Sequence, residues 1–411
     1  MDFAFGPDEE QFRAEVREFF RCEVSSDEID AMFWTEEAEP RWRLLKLMGR
    51  KGWLSLNWPV EYGGQGKPGT YRLILLEEMA YRGAPVGGFN TGGRIVAPTL
   101  MLYGSDEQKQ QYLPEIAVGN IDFALGYTEP AAGSDLAALE MSAVDEGDYF
   151  RISGQKMFSS ACHHSTHHWL AVRTDPVAPK HRGISLFMVD LSSPGITVKP
   201  LWAIEGTRTN VVYYDDVRVP RANLVGEKNR GFYYIATALS FERMFVVGEE
   251  IRILEELIRY AKRTPRGGRL LFEHEWVRGG LAEMVVAVRV GRLMSYKLAW
   301  MQSVGTIPTY EASQLKLYIS EMRRKLADFA MRLLGHLGEL QHGEPRSPSD
   351  QGIARFYDGA LFWTIVGGTS EVQRNIIAQR GLGLPRKKAR YLFGLERRAF
   401  VARFGGGSGI L

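Results

Sequence analysis

Three short tracts carry the residue types that do chemistry or hold a ligand. The first is YTEPAAGSD (127–135). Its Ala131, Ala132 and Gly133 are small enough to let backbone approach a flat ligand closely, and Thr128 and Ser134 offer hydroxyls and N–H groups beside them. The second is KMFSSA (156–161), where an aromatic, Phe158, is followed by a hydroxyl at Ser160. The third is HHSTHH (163–168). Paired histidines on a hairpin can bind zinc, but no carboxylate or cysteine set stands beside Cys162 to complete a tetrahedral site. That tract is expected to be a solvated loop, and no metal is expected. Further along, Glu242 directly precedes Arg243 in LSFERMFVV. By itself that pair reads as a carboxylate and a cation on an ordinary helix.

The elements that must position these residues fall into three textures. Residues 1–121 read as helical. DEEQFRAEVREFF (8–20) places Phe12, Val16, Phe19 and Phe20 at helical spacing, with Asp8 and Glu9 in the first turn. Further helices are expected over 41–52, 69–83 and 105–119, the last capped by Ser105 with Gln108 at the capping-box position. Residues 122–226 show short β-branched and aromatic runs broken by turn residues: 149–158, 167–175, 183–191, 195–202 and 211–220. Residues 227–386 return to helical periodicity in long segments near 231–262, 274–304 and 308–335, long enough to imply a bundle. The basic stretch PRKKARYLFGLERRAFVARF (385–404), which leads into the tail 387–411, reads as a solvated amphipathic helix, and GGGSGIL reads as a linker.

Composition bounds the class. The chain has 411 residues, 45% apolar and 24% charged, with a net charge of +2. That balance is ordinary for a globular protein and argues against a nucleic-acid binder. Two cysteines cannot make a disulfide framework and fit a reducing compartment. The acidic N-terminus is not a secretory signal, and no apolar run reaches membrane-spanning length. A cytoplasmic enzyme is expected.

Five motifs, in order and spacing, resemble the acyl-CoA dehydrogenases: YGSDEQKQQYLPEIAVG (103–119), YTEPAAGSDLAAL (127–139), KMFSSA, VYYDDVRVPRANLVGEKNRG (212–231) and IVGGTSEVQRNIIAQRGLGLPR (365–386). The resemblance runs from about residue 2 to residue 386. It implies an α+β fold with an N-terminal helical domain, a central β-barrel or sandwich domain and a C-terminal four-helix bundle. It also implies bound FAD and an oligomer: a homotetramer or homodimer, or a heterotetramer like relatives acting on steroid side chains.

The resemblance assigns roles residue by residue. Tyr127, Thr128, Gly133 and Ser134 line the cofactor, with Thr128 at the pyrimidine side and Ser134 also near the thioester. Phe158 lies against the flavin ring and Ser160 near N5. Thr369 and Glu371 touch FAD. Arg266 and Gly335 stand near the positions that reach a neighbouring subunit's FAD, although Thr264 and Met331 occupy the places where relatives carry Arg and Gln. The glutamate that many relatives carry before Gly-Thr is replaced by Gly367, whose N–H is left to bind the thioester carbonyl. A minority, the isovaleryl and long-chain types, carries its base on the first long helix of the C-terminal domain, directly before an arginine. Glu242 and Arg243 fit that place. The implied reaction is α,β-dehydrogenation of an acyl-CoA to a trans-2-enoyl-CoA. Glu242 takes the α-proton, flavin N5 takes the β-hydride, and electrons pass to an electron-transfer flavoprotein. Alternatives on the same scaffold are a flavin oxidase or monooxygenase, or a subunit that completes another chain's FAD site.

Overall fold

The structure, a computed structural model, describes residues 4–242, 244–306, 308–341, 343–347 and 352–385, without the side chains of 240–242. Six helices come first: α1 (Pro7–Cys22), α2 (Ser26–Trp34), α3 (Glu39–Arg50), α4 (Gly69–Arg82), α5 (Ala97–Tyr103) and α6 (Asp106–Ala117). Pro7 sits at the start of α1 with three acidic residues in its first turn, and Ser105 and Gln108 close a capping box on α6. The sequence reading missed α2 and α5. Their runs are too short to show a helical period.

A seven-stranded sheet follows: β1 (Phe123–Gly126), β2 (Ser142–Asp145), β3 (Tyr149–Lys156), β4 (His167–Arg173), β5 (Ile184–Asp190), β6 (Ile196–Trp202) and β7 (Arg208–Pro220). Its order is β1-β4-β2-β3-β7-β6, with β5 also paired to β4. β2 touches β4 only at Ser142 and Arg173, so the sheet curls there. The two halves close over one apolar cluster that includes Leu170, Val172 and Phe187 from one side and Phe150, Ile152 and Val212 from the other. The expected barrel or sandwich is thus one curled sheet.

The C-terminal part holds α7 (Gly231–Glu242), α8 (Gly248–Arg263), α9 (Glu275–Ser303), α10 (Glu311–Leu334), α11 (Ile353–Trp363) and α12 (Ser370–Ile376), with a small hairpin of β8 (Pro265–Arg266) and β9 (Arg269–Leu270). Helices α8 to α11 share one core. The single long helix expected near 231–262 is a correction: the chain leaves helical geometry between α7 and α8. Met244 is buried in the N-terminal cluster while Val247 belongs to the C-terminal core. Gly248 is pressed on α4, where a Cβ would lie 2.1 Å from the Glu77 carbonyl oxygen. The carbonyl of Phe245 accepts from the Ser295 hydroxyl at 2.8 Å. Tertiary partners thus take up the backbone group and the side chains that the break releases. Residues 386–411, including the basic tail, lie outside the described residues.

Candidate functional site

Tyr127 and Thr128 follow β1, and the loop after them turns tightly. Glu129 and Ala132 exchange two backbone hydrogen bonds of 3.1 Å across Pro130 and Ala131. Gly133 and Ser134 are exposed beyond the turn, and nothing lies within 4 Å of a Cβ placed on Gly133. The Met157 N–H donates to the Thr128 carbonyl at 2.8 Å, which sets the first tract beside the second. Buried Lys156 braces both. Its ammonium donates to the Tyr127 carbonyl at 3.2 Å and to Glu129 at 2.7 Å. Burial outweighs the attraction of Glu129 and pulls the Lys156 ammonium down to about 8.

Phe158 stands at φ +57 and Ala161 at φ +58, in the left-handed region that non-glycine residues avoid. Such strain persists only where surrounding contacts hold it. The contacts converge on Ser159. Its N–H donates to the Asn210 carbonyl at 3.1 Å, and the Asn210 side-chain amide donates back to the Ser159 carbonyl at 2.8 Å. Its hydroxyl lies 3.1 Å from Nε2 of His168, whose Nδ1 lies 2.8 Å from the Tyr214 hydroxyl. With Ser159 tied down, Phe158 turns outward and is 58% exposed. Ser160 is exposed and hydrogen-bonds Thr209 at 3.4 Å. Gly88 brings the N-terminal helices against this loop, since a Cβ there would meet Ser160 and Ala161 at 3.7 and 3.8 Å.

The histidine tract departs from the expected solvated loop. Cys162–His164 form a short turn under the strained loop, and His168 in β4 is 0% exposed. Burial pushes His163 and His164 down to about 4 and His168 to about 3. No group of three or more metal-ligating side chains exists among the described residues. Strand alternation could have revealed this: His168 shares its face of β4 with Leu170 and Val172, which are core.

Glu242 ends α7; its side chain and all of Arg243 lie outside the described residues. The Phe245 ring meets Trp363, the last residue of α11, edge to face at 6.2 Å. Four residues after Trp363 comes Gly367, exposed, at φ +63, with nothing within 4 Å of an added Cβ. The segment after α7 therefore meets the end of α11. Gln373 donates to the Gly367 carbonyl at 2.9 Å, and Thr369 caps α12 by accepting from the Val372 N–H. Glu371 is exposed, and hydrogen bonds from its backbone and from Thr369 hold its carboxyl low. Thr369 and Glu371 line a groove of ≈ 540 Å³ between α10 and α12.

Arg266 and Gly335 come together on another part of the surface. Gly267 and Gly268, both at positive φ, turn the small hairpin. The Arg266 guanidinium then donates to the Leu333 carbonyl at 3.3 Å, within 3.9 Å of a Cβ placed on Gly335. Arg266, which with Arg263 is one of the two cations beside Thr264, is thus engaged at the end of α10.

Comparison with known proteins adds the family. Residues 6–120, 124–217 and 229–382 match the models of the acyl-CoA dehydrogenase N-terminal, middle and C-terminal domains. The chain is 38% identical over 400 residues to acyl-CoA dehydrogenase FadE26 of Mycobacterium tuberculosis, covering 94% of this chain and 99% of that protein. Among solved structures, the ChsE4-ChsE5 complex from Mycobacterium tuberculosis superposes with a TM-score of 0.87 at 38% identity, over 94% of this chain and 100% of that chain. A steroid acyl-CoA dehydrogenase, Tcur3481-Tcur3483, superposes with a TM-score of 0.88 at 34% identity, with the same coverage. The chain belongs to the acyl-CoA dehydrogenase family of FAD-dependent oxidoreductases.

Proposed function

We propose that this chain dehydrogenates an acyl-CoA between Cα and Cβ, with Glu242 as the base. The observation that carries the reading is position 367. It has no side chain, its backbone is left-handed, and open space surrounds it. A base must therefore come from another element. Support comes from Phe245, which ties the segment after α7 to Trp363 at the end of α11.

The residues fit FAD. A bare aromatic at Phe158, a hydroxyl at Ser160 and an unobstructed Gly133 surround one face of the 127–134 and 156–160 loops. When bound, FAD supplies the acceptor for the β-hydride. The chain's own residues do the rest. The Glu242 carboxylate removes the α-proton, a weak acid that needs a well-aimed base. The Gly367 N–H binds the thioester carbonyl and stabilises the charge that develops there. Phe158 covers the ring system, and Tyr127, Thr128, Ser134, Thr369 and Glu371 orient the cofactor. Arg243 orients the substrate region.

We further propose that the chain works with a different subunit. Arg266 is engaged at α10 rather than free for a neighbour's phosphates, and Thr264 and Met331 carry no charge. The outer face of α9 exposes Val286, Val290, Leu293 and Trp300 at coiled-coil spacing, a surface that fits a partner. The relatives named for a ChsE4-ChsE5 complex and a steroid enzyme support a heterotetramer acting on a bulky acyl chain such as a steroid side chain. Electrons leave to an electron-transfer flavoprotein. The units 1–121, 122–226 and 227–386 and a cytoplasmic location complete the proposal; both cysteines are free. The test is expression with and without a homologous acyl-CoA dehydrogenase subunit, followed by an absorbance spectrum and native mass. Flavin and a mixed tetramer only on co-expression support the heteromeric reading. A fully flavinated, active homotetramer overturns it.

A further inference from the structure

We infer that His168 is a positioning residue: by bridging Tyr214 and Ser159 it locks the strained loop that presents Phe158 and Ser160 to the flavin. The inference rests on the flavin site proposed above. Two strands and the loop after a third meet in this bridge. His168 lies on β4, Tyr214 on β7, and Ser159 just past β3. All three side chains are buried. Gly126 on β1 makes room for the ring, since a Cβ there would come within 2.6 Å of Cε1 and Nε2.

The ring has one hydrogen-bonding role at each nitrogen. Burial and nearby Lys156 keep the imidazole neutral, so one nitrogen donates and the other accepts. The Tyr214 hydroxyl lies 2.8 Å from Nδ1 and can donate or accept there. Nε2 faces the Ser159 hydroxyl at 3.1 Å, and a hydroxyl serves either role. Phe158 and Ser160 flank this anchored residue, and Phe158 pays the left-handed backbone strain. Without the side-chain anchor, Asn210 still holds the Ser159 backbone, so the sheet survives while the loop gains freedom. Nothing in this chain requires His168 to touch the cofactor.

The experiment compares wild type, Ser159→Ala, Tyr214→Phe and His168→Gln, each purified with its partner subunit. Each is measured for FAD dissociation constant, flavin absorbance and fluorescence, kcat and KM. We expect Ser159→Ala and Tyr214→Phe to weaken FAD about tenfold, alter the vibronic shape of the flavin band and lower kcat about tenfold with KM nearly unchanged. His168→Gln, which can hydrogen-bond at only one end of the gap, falls between these and a full loss of flavin. Variants that bind FAD with wild-type affinity and spectrum while only their melting temperature drops reduce His168 to a structural core residue and overturn the inference. A wild-type complex without flavin at this loop sinks the site assignment as well, so the two failures are told apart by the wild-type spectrum alone.

Discussion

The ring of Phe245 meets the ring of Trp363 edge to face, with 6.2 Å between centroids and 83° between planes. The contact joins the break after α7 to the end of α11. In sequence, Glu242 lies three residues before Phe245 and Gly367 four residues after Trp363. Arg323 reinforces the contact. Its guanidinium lies over Phe356 at 4.4 Å and Trp363 at 5.7 Å and pairs with Glu250 at 2.8 Å.

Arg323 is therefore a stability determinant of the site's frame. It is buried, and removing it leaves the Glu250 carboxylate buried without its partner. Arg323→Leu is expected to destabilise the protein by about 3–5 kcal/mol. Urea unfolding at neutral pH checks this. A loss near zero would mean that the ion pairs contribute nothing to holding α8 on α10.

Phe158 is expected to behave in the opposite way. Its ring is mostly exposed in the free chain, so Phe158→Ala removes little packing and leaves the melting temperature of the flavin-free protein nearly unchanged. FAD affinity falls about tenfold to a hundredfold, the equivalent of about 1.5–3 kcal/mol for an aromatic ring buried on binding. Fluorescence titration with FAD reads the change.

Gly367 tolerates no side chain without strain. Space is open around it, so the cost of Gly367→Ala comes from the backbone alone, about 1–2 kcal/mol for an L-residue at φ +63. Denaturant melts test the value.

The acid limb of stability should follow the buried histidines. His168 titrates at about 3 in the fold against 6.5 when free, because burial and then Lys156 disfavour its charged form. Tyr214 and Ser159 face the same ring, and Glu129 pairs with Lys156 nearby. The unfolded chain thus binds the extra proton between these values. Stability is complete above about pH 6.5 and falls as pH drops toward 3, by about 2 kcal/mol at pH 5 for this group. His163 and His164 shift in the same direction. Unfolding free energies at pH 7 and pH 5 should differ by at least this amount, and by about 2 kcal/mol less in His168→Gln.

Much of the fold was legible because its signals are local. Ser105 and Gln108 announced α6, and the strand runs at 183–191 and 211–220 announced β5 and β7. The break after α7 was not legible. Its cause is tertiary: Met244 and Val247 are claimed by different cores, and Gly248 lies on α4. The 127–134 and 156–160 loops were visible as small and hydroxyl-bearing residues. The bracing of Ser159 by His168 and Asn210 was not, because β4 and β7, distant in sequence, supply it. The hydrophobic seam on α9 was also missed, since an apolar stripe on a bundle helix reads as core until its exposure is seen.

The central claim is that Glu242 is the base, and an anaerobic titration of Glu242→Gln with the acyl-CoA that bleaches the wild-type flavin tests it most directly. The account predicts that the variant keeps its flavin and binds the thioester, while bleaching slows by at least about a hundredfold. Bleaching at the wild-type rate would contradict it.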